Sequence, residues 1–162
     1  MAKLDTLSSY LVSTWPNDPK AAAGETMRIR LLLQKDRFDE ARDLINKLKD
    51  GPEKSSLLRL LGQLLWNQSI SLRRSEDAAG ASKALKNGLD DLKRGLDGIA
   101  GALVNPDALQ AALVLTKMHR KLGDETNALA TLDNEKYGPI PLVAKIGAPN
   151  PNFKGDLYTP PS

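Results

Sequence analysis

His119 is the only histidine in the chain, and histidine is the side chain best suited to move protons near neutral pH. A general base at that position needs a nucleophile or a carboxylate within reach. Its sequence neighbours Lys117, Arg120 and Lys121 are cationic instead. One histidine cannot build a zinc site without cysteines or several converging carboxylates, and the chain has no cysteine. The same absence removes disulfides and thiol nucleophiles. Asp90, Asp91 and Asp97 are interleaved with Lys93 and Arg94, a pattern that makes i,i+4 pairs on a solvated helix face and not a pair of acid catalysts. Gly95, Gly98 and Gly101 lack the preceding strand and the Lys-Ser/Thr ending of a phosphate loop. Asn67-Gln68-Ser69 has the form of a glycosylation sequon, but it lies inside an apolar helical stretch and is discounted. These residues point away from an enzyme, a bound metal or a cofactor.

Composition is consistent with that reading. The chain has 162 residues, 41% hydrophobic and 27% charged, enough for one packed domain. Aromatic residues are only 4%, and a core of Leu and Ala with few rings favours helix. The net charge of +3 is mild, and there is no basic run of the kind that binds nucleic acid. No apolar stretch reaches the roughly 18 residues of a membrane span. Met1–Tyr10 lacks the basic start and apolar block of a signal peptide. The ending Thr159-Pro160-Pro161-Ser162 suggests a segment of a longer protein.

The elements that must position any site are helices, about seven of them, in an all-α fold. Pro16 and Pro19 separate a first helix, about Lys3–Thr14, from a second that reaches Gln34. Asp18-Pro19 reads as an N-cap followed by proline in the first turn. Phe38, Ala41, Leu44, Ile45 and Leu48 form one apolar face of a third helix, which Gly51-Pro52 ends. A fourth helix, about Glu53–Arg73, is apolar over more than half its circumference and is expected to be buried between neighbours.

The fifth helix is expected over about Asp77–Val104. Leu85, Leu89, Leu92, Leu96, Ile99 and Leu103 are spaced 4, 3, 4, 3 and 4 apart, a heptad seam. Beside it Ala81, Gly88, Gly95 and Ala102 recur every seven residues. Glycine inside a helix costs about 1 kcal/mol relative to alanine, so this small stripe predicts close approach of another helix. Asn105-Pro106 opens a sixth helix, Gly123-Asp124 forms a turn, and a short seventh helix runs over about Glu125–Leu132. Six of the ten prolines fall from Pro139 onward, so residues 138–162 are expected to form an irregular tail or linker after a helical domain at 1–137.

Two turns look alike. Lys35-Asp36-Arg37-Phe38-Asp39-Glu40-Ala41 joins helices two and three, and Leu122-Gly123-Asp124-Glu125-Thr126-Asn127-Ala128 joins helices six and seven. With Leu61-Gly62 on a first helix, Ile45 and Leu132 on second helices, and Pro52 and Pro139 near the ends of pairs, this pattern resembles tetratricopeptide (TPR) repeats. Trp15-Pro16-Asn17-Asp18-Pro19 ahead of a helix pair is similar to the separators of bacterial envelope repeat proteins, which points to the periplasm or cell envelope and leaves the cytoplasm open. The resemblance implies a TPR-like stack of three antiparallel pairs, about 18–49, 53–104 and 106–133. The middle pair is longer than the roughly 34 residues of a standard repeat.

Such a stack presents a groove lined by the first helix of each pair. The resemblance places Arg30, Arg59, Gln63, Trp66, Asn67, Gln110, Lys117, Arg120 and Lys121 there. A basic groove with amides fits an acidic protein or peptide, through charge-assisted hydrogen bonds. The plainer reading makes the cations a solvated face and Trp66 part of the core. The implied function is a non-enzymatic protein-interaction or scaffold module. The alternative is a structural segment of a larger multidomain bacterial protein, self-associating through the heptad seam.

Overall fold

The computed structural model describes residues 2–15, 18–99 and 105–147. They form eight helices, and no strand occurs among the described residues. In order they are α1 (Ala2–Thr14), α2 (Pro19–Gln34), α3 (Phe38–Lys47), α4 (Pro52–Arg74), α5 (Ala78–Asp97), α6 (Pro106–Lys121), α7 (Glu125–Leu132) and α8 (Pro139–Gly147).

The starts follow from local chemistry. Asp18 caps α2 by accepting from the Lys20 amide at 2.8 Å, and Asn105 caps α6 by accepting from Asp107 at 3.0 Å. Asp77 and Asp124 cap α5 and α7 in the same way. Proline opens α2, α4, α6 and α8, where its missing N–H has no intrahelical partner to lose.

Three inter-helix turns share one geometry. Asp36, Glu76 and Gly123 all take positive φ, at 57°, 66° and 77°. In each turn the amide one residue further on reaches back to the carbonyl five before it: Arg37 to Leu32 at 3.0 Å, Asp77 to Leu72 at 2.9 Å, and Asp124 to His119 at 2.9 Å. This six-residue closure satisfies carbonyls left open at the helix end. Four residues after Arg37, Asp77 and Asp124 stand Ala41, Ala81 and Ala128, all buried. The turn at Glu76 was not distinguished in the sequence; it belongs with the other two.

α4 and α5 run antiparallel with their backbones in contact. A Cβ on Gly62 would stand 2.8 Å from the Gly88 carbonyl oxygen, and one on Gly95 would stand 2.8 Å from the Ser55 carbonyl oxygen. The small stripe on α5 is therefore the track along which α4 lies; its fourth member, Ala102, falls outside the described residues. The seam beside it is covered within the chain, with Leu85, Leu92 and Leu96 buried against Ala108, Ala111, Leu115 and Met118 of α6. A second cluster joins α2, α3 and α4 through Ile29, Leu33, Ile45, Leu57 and Leu61.

The main helix contacts run between sequence neighbours, from α1·α2 to α6·α7, with α4·α6 and α6·α8 added. The packing is thus nearly one-dimensional along the chain. Two expectations need correction. α5 ends at Asp97 with Gly98 as its C-cap, short of Val104; residues 100–104, with Leu103, lie outside the described residues. The stretch after residue 138 is not irregular at first: Pro139–Gly147 is helical and buries Leu142. Pro139 and Pro141 occupy the first and third positions of α8, where no intrahelical N–H bond is due, and the first bond runs from Leu142 to Gly138 at 3.3 Å. Pro149, Pro151, Pro160 and Pro161 lie outside the described residues.

Candidate functional site

Helices α4 and α6 both end in basic turns, Arg73-Arg74 and Arg120-Lys121, where cations complement the negative end of the helix dipole. Between these ends lies a half-open groove of about 310 Å³ lined by Trp66, Ser69, Ile70, Arg73 and Arg74 of α4 and Lys121 of α6. Trp66, Ser69, Ile70 and Arg73 are spaced so that they share one face of α4. Trp66 is half-buried and packs against the core shared by α5 and α6, so its ring is held in place from behind. Ser69 turns inward and donates to the Trp66 carbonyl at 2.7 Å.

Arg73, Arg74 and Lys121 are exposed and make no ion pair among the described residues. Other cations are engaged. Arg42 donates to Asp91 at 2.7 Å, Lys54 to Asp50 at 2.9 Å and Arg59 to Asp107 at 2.9 Å. The groove therefore concentrates positive charge that no ion pair among the described residues neutralises, beside an apolar floor of Trp66 and Ile70.

Of the nine residues expected in a groove, Trp66 and Lys121 meet here. Arg30, Asn67, Gln110 and Lys117 are exposed at other points on the helices, and Gln63 is half-buried. Arg120 is exposed and 3.6 Å from Glu125. Arg59 is corrected: it is buried, with Nε on Asp107 and Nη1 donating to the Gly95 carbonyl at 3.0 Å. It ties α4 to α5 and α6. Ile70, Arg73 and Arg74 were missed; the one sequence signal for them was the i,i+7 relation of Trp66 to Arg73 at a helix end.

His119 also differs from its sequence surroundings. It is buried, and its Nδ1 lies 3.3 Å from Asp124 Oδ2 without the alignment of a hydrogen bond. The neighbourhood in space thus includes a carboxylate that sequence adjacency hid. Hydrogen bonds from the Asn127 side chain and amide hold the Asp124 carboxyl below its ordinary range. Asp124 is occupied as the cap of α7. No group of three or more His, Cys, Asp and Glu able to hold a metal occurs among the described residues.

Asp91, buried, pairs with the half-buried Arg42 and so links α5 to α3. Asp39, Arg94 and Asn46 surround it, through Arg42 to Asp39 at 3.0 Å and Arg94 to Asn46 at 3.0 Å.

Compared with known proteins, the chain matches no protein-family model, and no curated protein or solved structure matches it either.

Proposed function

We propose that the chain is a non-enzymatic, TPR-like protein-interaction module that holds an acidic segment of a partner protein in the groove between α4 and α6. The observation that carries this reading is the set of three exposed cations, Arg73, Arg74 and Lys121, which make no ion pair among the described residues, beside the Trp66–Ile70 floor. Carboxylates of the partner pair with the cations, and an adjacent apolar side chain lies on the indole face. The repeat reading is supported by the three equivalent turns, each followed by a buried alanine, and by the chain-like order of helix contacts. Self-association through the heptad seam of α5 is less favoured, because Leu85, Leu92 and Leu96 are already covered by α6.

The test uses Trp66 as reporter in a Trp15→Phe background, since the chain has two tryptophans. Titration with peptides that alternate Asp or Glu with apolar residues should give a saturable blue shift of emission. Neutral and basic peptides of the same apolar content should give none. Equal binding of all three classes, or of none, overturns the reading.

A further inference from the structure

Another cavity lies at the opposite end of α4. It holds about 350 Å³ and opens between the N-terminus of α4 and the C-terminus of α5, which antiparallel packing sets side by side. Gly51, the N-cap of α4, brings no capping side chain, and Pro52 has no N–H. The Ser55 amide reaches the Gly51 carbonyl at 3.1 Å. The Glu53 and Lys54 amides are left without a partner among the described residues, at the positive end of a helix of 23 residues.

Ser55 stands in the cavity wall. It is 7% exposed, yet its hydroxyl makes no hydrogen bond among the described residues. Its Oγ occupies the space that a Cβ on Gly98 would need, and Gly98 lines the same cavity. A buried hydroxyl without a partner costs free energy that a bound acceptor recovers.

The other polar groups nearby are engaged, with one exception. Lys54 donates to the Leu48 carbonyl at 3.0 Å and to Asp50 at 2.9 Å, and Arg94 donates to Asn46 at 3.0 Å. At the end of α5 the Gly95 carbonyl accepts from Arg59 at 3.0 Å, that of Leu96 from the Ile99 amide at 3.1 Å, and that of Asp97 from Lys136 at 2.9 Å. The exception is the Asp97 carboxylate. It lines the cavity, is exposed, and makes no ion pair among the described residues. Unmet donors on the α4 side thus stand beside one unmet carboxylate on the α5 side.

We propose that this cavity binds a free α-amino acid with a small apolar side chain. Its carboxylate accepts from the Ser55 hydroxyl and the Glu53 and Lys54 amides, its ammonium donates to Asp97, and its side chain lies toward Leu58, the apolar residue of the lining. A zwitterion fits better than an anion, because Asp50 and Asp97 at the same cavity repel a lone carboxylate or phosphate. The positive end of α4 beside the negative end of α5 also matches the ligand's own separation of charge. So small a ligand binds weakly, with a dissociation constant on the order of 1 mM. The cavity shares no residue with the basic groove and stands apart from the acidic partner proposed there.

Titration of the whole chain with L-valine, followed by two-dimensional amide NMR, tests it. The signals of Glu53, Lys54, Ser55 and Gly98 should shift saturably, while those of Arg73 and Lys121 stay in place. N-acetylvaline, which lacks the ammonium, and valinamide, which lacks the carboxylate, should each bind about tenfold more weakly or worse. Ser55→Ala keeps the Cβ and removes only the hydroxyl; Asp97→Asn removes a charge at an exposed position. Each should weaken valine binding about tenfold or more and leave the rest of the spectrum unchanged. No saturable shift at tens of millimolar valine overturns the proposal. Equal binding of N-acetylvaline overturns it in favour of a plain carboxylate site, and equal binding of valinamide overturns it in favour of a plain cation site. Valine binding that survives in both variants also overturns it. If Ser55→Ala fails to fold, Asp97→Asn and the two analogues still decide.

Discussion

The Arg59 backbone faces Gly95 so closely that a Cβ on Gly95 would stand 2.8 Å from the Arg59 nitrogen. The Arg59 guanidinium also donates to the Gly95 carbonyl oxygen at 3.0 Å. Alanine at residue 95 therefore meets backbone on α4, which cannot step aside as a flexible side chain does. Overpacking of this kind costs about 1–3 kcal/mol, against about 1 kcal/mol gained in helix propensity. Gly95→Ala should destabilise the fold by up to about 2 kcal/mol in urea titration. Gly24→Ala, with nothing within 4 Å of the added carbon, should instead stabilise it by about 0.5–1 kcal/mol. If Gly95→Ala equals or exceeds the wild type in stability, the close α4–α5 contact is wrong.

The Arg42–Asp91 pair gives a pH dependence. Asp91 is 1% exposed, and burial, its largest influence, raises its carboxyl above the ordinary 3.8 against the pull of Arg42. On Arg42 burial pulls the guanidinium down, but the bonds and charges of Asp91 and Asp39 together raise it. A carboxyl whose folded pKa exceeds its unfolded one gives full stability below the unfolded value and loses it as pH rises through the folded one. Arg42→Met removes the pull that holds the carboxyl down and widens that window. The variant should be less stable than wild type by about 2 kcal/mol at neutral pH, discounted from the fully buried case because Arg42 is partly open to solvent. At acid pH, where Asp91 binds its proton, the deficit should shrink to under about 1 kcal/mol. A deficit that is constant with pH, measured by denaturant unfolding, would show that Asp91 is not the titrating partner.

What the sequence made legible is what depends on near neighbours. The Leu85–Leu92–Leu96 seam, the Gly88–Gly95 track and the caps at Asp18 and Asn105 are patterns of a few residues, and their physics is local. Arg59 and Asp91 depend on partners 48 and 49 residues away, Asp107 and Arg42, which no local pattern names. Arg59 thus read as a groove residue until its partner was placed. The helix at Pro139–Gly147 was hidden for another reason: prolines were weighed by number, while their effect depends on position within the first turn. Arg73 and Arg74 read as an ordinary basic helix end, and only the approach of Lys121 from α6 makes them part of a groove.

The three equivalent turns hold three different residues in the left-handed region, at a cost that differs with the side chain. Aspartate tolerates that region through local hydrogen bonds, glutamate less so, and glycine freely. Glu76→Gly should stabilise the fold by up to about 1 kcal/mol, raising Tm by about 2–4 °C in a domain of this size. Asp36→Gly should gain less, and Gly123→Ala should lose about 1 kcal/mol. Thermal unfolding of the three variants should rank them in that order; a gain from Gly123→Ala would contradict the shared geometry.

Arg73, Arg74 and Lys121 can be separated from the fold because they hold no internal ion pair among the described residues. Reversing Arg73 and Lys121 to Glu should leave Tm within about 2 °C of wild type, since exposed charges contribute little to stability. The same double variant should lower affinity for an acidic peptide at least tenfold, as two attractive pairs become repulsive. Wild-type affinity should also fall as salt is raised, because the screening length shortens from about 10 Å at 0.1 M to about 3 Å at 1 M. Arg59→Ala provides the contrast: it leaves Asp107 and the Gly95 carbonyl without their donor, so it should lower stability while a folded fraction binds as before. Calorimetric titration alongside thermal unfolding separates the two outcomes. Peptide affinity that follows Tm across all the variants would place the binding surface somewhere other than between α4 and α6.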